Sequence, residues 1–236
     1  MATLPAEVRL DQPEHPKALL LLAHGAGAPM DSPFMNQLCQ ALLAQAVTVI
    51  RFEFTYMQQR RADGRRRPPP AINTLVDEYQ HMIQAVGAWQ TASPHVQSLP
   101  LWLAGKSMGG RVATLVAAQQ ASESYAGVAV FGYPFHPPGK PENTRIAHFG
   151  QCSVPVHIFQ GTRDPFGRPE EVADYCLPAT VTLHWLATGN HDAEPTKKSG
   201  ISQQALLQHA AESLSRLMVQ PEYSDTTLVS PSVASH

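Results

Sequence analysis

Cysteine is scarce in this chain: Cys39, Cys152 and Cys176 are the three among 236 residues, and their spacing matches no paired framework. An odd, scattered set of thiols argues against a disulfide scaffold and for a reducing compartment. Long apolar runs are missing as well. The one stretch that could serve as a leader core, Ala18 to Ala23, spans six residues and follows an acidic, proline-containing segment. Secretory cores need roughly 7–15 apolar residues behind a basic start, and a membrane span needs about 20. These absences predict a cytoplasmic protein without a membrane partner. No sign of charge dominates either, since the formal net charge is -2. That balance argues against a general polyanion binder and so against a nucleic-acid partner.

Cofactor signatures are absent too. No G-x-G-x-x-G run occurs, and Gly105-Lys106-Ser107 lacks the upstream glycine of a phosphate-cradling loop, so no nucleotide cofactor is expected. His148, Cys152 and His157 lie near one another in sequence, but their spacing fits no zinc ligand pattern and His157 falls on an apolar, strand-like run. No metal is expected.

What remains is the composition of one globular domain: hydrophobic residues make up 43% of the chain and charged residues 15%. From residue 18 to about 219 two kinds of segment alternate. Short apolar runs, Ala18–Ala23, Val47–Phe52, Leu101–Ala104, Val128–Phe131, Val156–Gln160 and Val181–Leu186, read as strands buried on both faces. Helical patterns lie between them. Ser32 before Pro33 marks a helix start, and Phe34, Leu38, Leu42 and Ala46 follow at four-residue intervals. After Pro68–Pro70, Ile72, Leu75, Val76, Tyr79, Met82, Ile83 and Val86 trace one helix face. Met108–Gln120, Pro169–Cys176 and Ile201–Val219 complete the helices. The alternation predicts an α/β fold: a doubly wound, mostly parallel sheet with helices on both faces. An edge strand is expected near Ala6–Leu10. Residues 1–220 read as a single domain and 221–236 as a loose tail.

Gly105-Lys106-Ser107-Met108-Gly109 matches G-x-S-x-G directly between a strand and a helix, the setting of a nucleophile elbow. Such a turn is tight and strained, so its neighbours must lack bulk. A serine hydroxyl needs a base. In a sheet with this elbow, the acid and then the histidine follow on loops after later strands. Asp164, in Gly161-Thr162-Arg163-Asp164-Pro165, and His191, in Gly189-Asn190-His191-Asp192, stand at those places. Asp174 and Asp192 are weaker substitutes for the acid. The small turn His24-Gly25-Ala26-Gly27 follows the first long strand, so the backbone N–H groups of Ala26 and Met108 are candidate oxyanion donors. His24, Tyr56, Met57 and His136 are candidate pocket walls, though for His136 packing against Pro137 and Pro138 is the favoured reading. The basic run Arg60–Arg67 is either a solvated loop or an attractor of carboxylate or phosphate.

At these motifs the chain resembles the α/β-hydrolase superfamily, and within it small bacterial predicted hydrolases similar to dienelactone hydrolases. It also resembles the group related to the hydrolase-like subunit of a chromatin acetyltransferase complex. The segments that carry the likeness are HGAGAPMDSPFM (24–35), RFEFTYM with RRADGRRRPP (51–69), GKSMGGR (105–111), GYPFHPPGKPE (132–142), QGTRDPFG (160–167) and GNHD (189–192). The resemblance implies a nucleophile at Ser107, an acid at Asp164 and a base at His191. It implies no particular substrate.

Between Phe131 and Val156 lie 24 proline-rich residues, room for a flap but not for a large cap domain. The expected activity is hydrolysis of a small ester or related acyl bond through an acyl-enzyme on Ser107, without a cofactor. Acyl transfer by the same triad and a catalytically silent interaction protein are the alternatives. Oligomeric state is not legible.

Overall fold

The computed structural model describes residues 3–119 and 124–219. The expected tail, 221–236, and Gln120 lie outside the described residues. The strands are β1 (Arg9–Asp11), β2 (Ala18–Ala23), β3 (Val47–Phe52), β4 (Leu101–Lys106), β5 (Gly127–Phe131), β6 (Val156–Gly161) and β7 (Val181–Leu186). The helices are α1 (Pro33–Ala44), α2 (Thr55–Asp63), α3 (Ile72–Thr91), α4 (Met108–Gln119), α5 (Pro169–Val172) and α6 (Gln203–Val219). One sheet runs β1-β3-β2-β4-β5-β6-β7. Among the described strands only β1 is antiparallel to its neighbour. This is the doubly wound sheet that the alternation of runs predicts.

Side-chain alternation along the central strands builds two cores. Leu19, Leu21 and Ala23 of β2 face α3 and α4, whereas Ala18, Leu20 and Leu22 face α1 and α6. Both faces are dry, which is why β2 reads as an unbroken apolar run. Tyr79 pins α3 to the middle of the sheet. Its hydroxyl lies 2.7 Å from the Leu21 carbonyl and 2.9 Å from that of Ala104, and it accepts the Ala104 N–H at 3.0 Å.

The chain leaves β2 toward β3 on one side and returns to β4 on the other, so the order reverses at β2. Loops diverge there and leave a crevice at the strand C-termini. Ala23 pairs with Gly105 at that end. The turn after β2 and the serine after β4 are therefore neighbours.

The structure corrects several boundaries. The edge strand is β1 at Arg9–Asp11 rather than Ala6–Leu10. It is fastened by Arg51, which is 2% exposed and reaches Asp11 Oδ2 at 2.5 Å, Asn36 Oδ1 at 2.7 Å and the Met30 carbonyl at 3.0 Å. This arginine is a buried structural tie. Strand β4 continues to Lys106, two residues past Ala104. Helix α2 is unforeseen because its sequence, TYMQQRRAD, buries only Tyr56 and Met57 and carries no apolar period. Gly64 closes it with φ 72°. Helix α5 stops at Val172 instead of Cys176, and α6 starts at Gln203 instead of Ile201, with Ser202 Oγ accepting the Ala205 N–H at 3.1 Å. Between β5 and β6, Tyr133, Phe135, His136 and Phe149 fold into the core around one short 3-10 turn (Phe149–Gln151), so among the described residues no large cap covers the crevice. No described helix is long and apolar enough to cross a membrane.

The three residues weighed as a zinc site are not brought together. His148 Nε2 lies 2.9 Å from Thr114 Oγ1, and the Cys152 thiol contacts the Thr114 carbonyl at 3.6 Å, both on the α4 side. His157 stacks on Trp102 across the sheet and lies 3.1 Å from His184.

Burial pushes the His148 imidazole down to about 4, helped by the nearby Arg111 cation. Burial likewise pushes down His157, beside His184, and His184, beside His209. Below the ordinary imidazole value of 6.5 the unfolded chain takes up protons that the folded chain refuses until about 4. Stability should therefore be complete above that upper value and fall as pH drops through the window. Thermal melts across the range should show a falling midpoint, and a Phe replacement at His148 should flatten the fall.

Candidate active site

The Gly105–Gly110 segment turns directly from β4 into α4. Ser107 occupies the left-handed region, with φ 51°. Its N–H donates to the Phe131 carbonyl at 3.0 Å, and its own carbonyl accepts from Arg111 at 3.0 Å. Strain of this kind costs on the order of 1–3 kcal/mol and survives only where the surroundings impose it. Here the surroundings are backbone. A Cβ on Gly105 would overlap the backbone of Gly109 and Gly110, and one on Gly109 would lie 2.5 Å from the His24 carbonyl oxygen. The glycines let α4 start against both β4 and the turn after β2, and so lift Ser107 above the sheet.

His191 Nε2 lies 2.8 Å from Ser107 Oγ, and His191 Nδ1 lies 2.8 Å from Asp164 Oδ2. The three residues singled out in the sequence thus form one hydrogen-bonded line. The Asp164 carboxylate accepts at Nδ1, so that nitrogen carries the proton and Nε2 is left to accept the Ser107 hydroxyl. Asp164 is 0% exposed, and its second and third donors are Gln160 Nε2 at 2.9 Å and the Phe166 N–H at 2.9 Å. A buried carboxylate needs such partners. Neither substitute acid takes this place: Asp174 is exposed, and Asp192 meets Lys106 instead.

Both loops are built to hold these groups. Asn190 Oδ1 accepts the N–H groups of Asp192 and Glu194, each at 2.9 Å, which shapes the turn that presents His191. A Cβ on Gly161 would strike the Gly189 and Asn190 carbonyls, so the acid and histidine loops approach at backbone contact. Phe166 covers the imidazole, its ring 4.4 Å from that of His191.

The candidate oxyanion donors differ in setting. Met108 opens α4, where unpaired N–H groups and the helix dipole favour negative charge. Ala26 is exposed in the turn after β2. Among the described residues, no hydrogen bond occupies the N–H of either. The carbonyls of that turn are held from outside, Ala26 by the Tyr56 hydroxyl at 3.0 Å and Gly27 by Arg60 Nη1 at 3.2 Å. Burial pushes the Tyr56 phenol up to about 12, so it remains a donor at neutral pH.

The expected pocket walls are corrected by burial. His24 is 0% exposed: Nδ1 meets the Gly25 carbonyl at 2.6 Å and Nε2 accepts the Phe54 N–H at 3.2 Å. Burial lowers its basicity. It braces the turn from behind and offers a ligand no surface. His136, 1% exposed, sits between the Pro137 carbonyl at 2.8 Å and Glu171 Oε2 at 3.3 Å. Tyr56 and Met57 are buried as well, the former acting through Ala26.

Residues 16–219 match the family described as the alpha/beta hydrolase domain. The chain belongs to the α/β-hydrolase family. Among solved structures this α/β hydrolase is similar to a dienelactone hydrolase from Anabaena variabilis, with 22% identity, a TM-score of 0.64, and coverage of 87% of this chain and 88% of that one. It is similar to an alpha-beta serine hydrolase homologue from Coxiella burnetii at 19% identity and a TM-score of 0.57, covering 92% and 91% of the two chains. It is also similar to Est1E from Butyrivibrio proteoclasticus at 15% identity and a TM-score of 0.62, covering 90% and 93%. These likenesses, all under 25% identity, concern the fold. No curated protein matches the chain. The narrower likeness to the chromatin acetyltransferase subunit rests on the sequence motifs alone.

Lys106 is the hydrolase residue that sequence reasoning missed, because it occupies the variable position of G-x-S-x-G. It is 6% exposed, and its Nζ donates to the His191 carbonyl at 2.7 Å and meets Asp192 Oδ1 at 3.1 Å. Burial lowers its basicity, and Asp192 pulls it back up. The ammonium ties the histidine loop to the serine turn. Replacing Lys106 with Met should slow fluorophosphonate labelling of Ser107 about tenfold by loosening the imidazole, with the rate read by mass spectrometry.

Proposed function

We propose that this α/β hydrolase is a serine esterase that cleaves a small ester or related acyl bond. The observation that carries the proposal is the unbroken line from Ser107 Oγ through His191 to buried Asp164, with both links at 2.8 Å. In the first step His191 Nε2 takes the hydroxyl proton as Ser107 Oγ bonds to the substrate carbonyl carbon. Negative charge on the carbonyl oxygen is met by the N–H groups of Ala26 and Met108; each such donor contributes about 3 kcal/mol where its loss has been measured. Asp164 holds the tautomer and stabilises the imidazolium. The imidazolium then protonates the leaving alcohol as its bond to the carbonyl carbon breaks.

Deacylation repeats the steps with water: His191 removes a proton from water, the hydroxide attacks the acyl carbon, and the proton returns to Ser107 Oγ as the acid leaves. No step requires a metal or cofactor. The compact fold of residues 132–155 leaves the site open, which suits small or exposed acyl groups better than long lipids.

Replacing Ser107 with Ala should lower kcat for p-nitrophenyl acetate by on the order of 10⁴-fold or more. Spectrophotometric release of nitrophenolate reads this directly, and turnover equal to wild type would refute the proposal. Asp164→Asn should cost about 10⁴-fold while leaving fold and substrate affinity in place, because the imidazole would be held in the wrong tautomer.

A further inference from the structure

A groove of about 430 Å³ opens beside the turn after β2, and Ala26, Gly27, Arg60, Arg66, Arg67 and Pro69 are among its walls. It begins next to the reacting serine: a Cβ on Gly25, the residue before Ala26, would lie 3.8 Å from Ser107 Cβ. Its charge is unbalanced. Arg67 is neutralised by Asp63 at 2.6 Å, and Arg61, outside the groove, is occupied by Asp31 and Glu53. Arg60 has only the Gly27 carbonyl as a partner, and Arg66 has no ion pair or hydrogen bond among the described residues. Among the described residues no carboxylate side chain lines the groove.

We propose that this groove binds an anionic group, a carboxylate or a phosphate, carried by the substrate of the Ser107 site. The inference rests on the serine esterase reading and names its substrate class. Two guanidinium groups facing one concavity repel each other, and an anion between them relieves that repulsion. Each guanidinium offers a planar fork of donors that matches two oxygens of a carboxylate or phosphate. Arg60 sits in α2, and Pro68 and Pro69 restrict the backbone of the far wall. Arg60 also holds the Gly27 carbonyl, so the groove and the turn bearing the Ala26 donor share one side chain.

The test compares kcat/KM for matched esters that differ in charge. On the alcohol side, 4-acetoxybenzoate and 4-acetoxyphenyl phosphate are set against neutral 4-acetoxybenzamide. On the acyl side, phenyl hydrogen glutarate is set against phenyl methyl glutarate. At low ionic strength at least one anionic ester should exceed its neutral counterpart about tenfold, and salt at about 0.5 M should erode the ratio. The double variant Arg60→Gln, Arg66→Gln should bring the ratio toward one. The single variant Arg66→Gln, which has no contact to lose, should do so in part should the double variant not fold. Preference for the benzoate or glutarate identifies a carboxylate ligand, and preference for the aryl phosphate identifies a phosphate. Ratios near one in the wild type, or ratios that the arginine variants leave unchanged, overturn the inference. Ser107→Ala separates the two claims. Loss of all turnover with an unaltered ratio in the arginine variants defeats the groove alone, and persistent turnover in Ser107→Ala defeats the esterase reading.

Discussion

The site depends on one steric constraint, the approach of α4 to the ends of β2 and β4 with no side chain between them. Gly105 and Gly109 occupy contacts where even a methyl group would meet backbone. That approach forces Ser107 into a left-handed conformation and sets its hydroxyl at the mouth of the crevice where the strand order reverses. It also brings the start of α4 beside the turn that holds Ala26. Without the small residues, helix and sheet would separate and these neighbours with them.

Around this fixed point the molecule pairs its buried polar groups almost completely. Asp164 has three donors, Gln160 joins it to the Tyr133 backbone, and Lys106 spans from the serine turn to the histidine loop. Arg51 does the same at the far edge, with β1 and the segment leading into α1. A buried charge is tolerated only when its partners are held in place, so each of these groups also fixes the loops that supply its partners. The histidine loop is held by Lys106, by the internal Asn190 turn, by Gln203 Nε2 on the Asp192 carbonyl, and by backbone contact with the Gly161–Arg163 turn. Among the described residues the exceptions are Thr48 Oγ1, Trp102 Nε1, Arg111 Nε and Thr188 Oγ1; Arg66 of the groove is exposed, where solvent tolerates a charge without an ion pair.

Much of the fold was legible because buried parallel strands have few alternatives. Five apolar runs without polar alternation are buried on both faces, as read, whereas the sixth, β7 (VTLHWL), is an edge strand left partly exposed, and the motif at Ser107 marked the turn from a strand into a helix. Helix α2 was not legible, because it is polar on nearly all sides and is held by burial of Tyr56 and Met57, with the Tyr56 hydroxyl donating to the Ala26 carbonyl. The end of α5 and the start of α6 shifted by a few residues for a related reason: capping and turn contacts, not apolar period, decide where a helix begins or stops. His24 was misread as a pocket wall. Its neighbours in sequence are small and flexible, and nothing local reveals that Phe54, thirty residues on, donates to its ring.

The amino-acid order alone determined the strand and helix sequence, the glycine-lined serine turn, and which acid and which histidine follow later strands, because these depend on local period and on steric demands within a few residues. Tertiary structure alone decided that Lys106 ties the serine turn to the histidine loop, that His24 and His136 are internal braces, and that Arg60 and Arg66 have no ion pair among the described residues. Each of these is a question of which charge or hydrogen-bonding group lies opposite another, and partners of that kind come from segments tens of residues apart that only packing brings face to face.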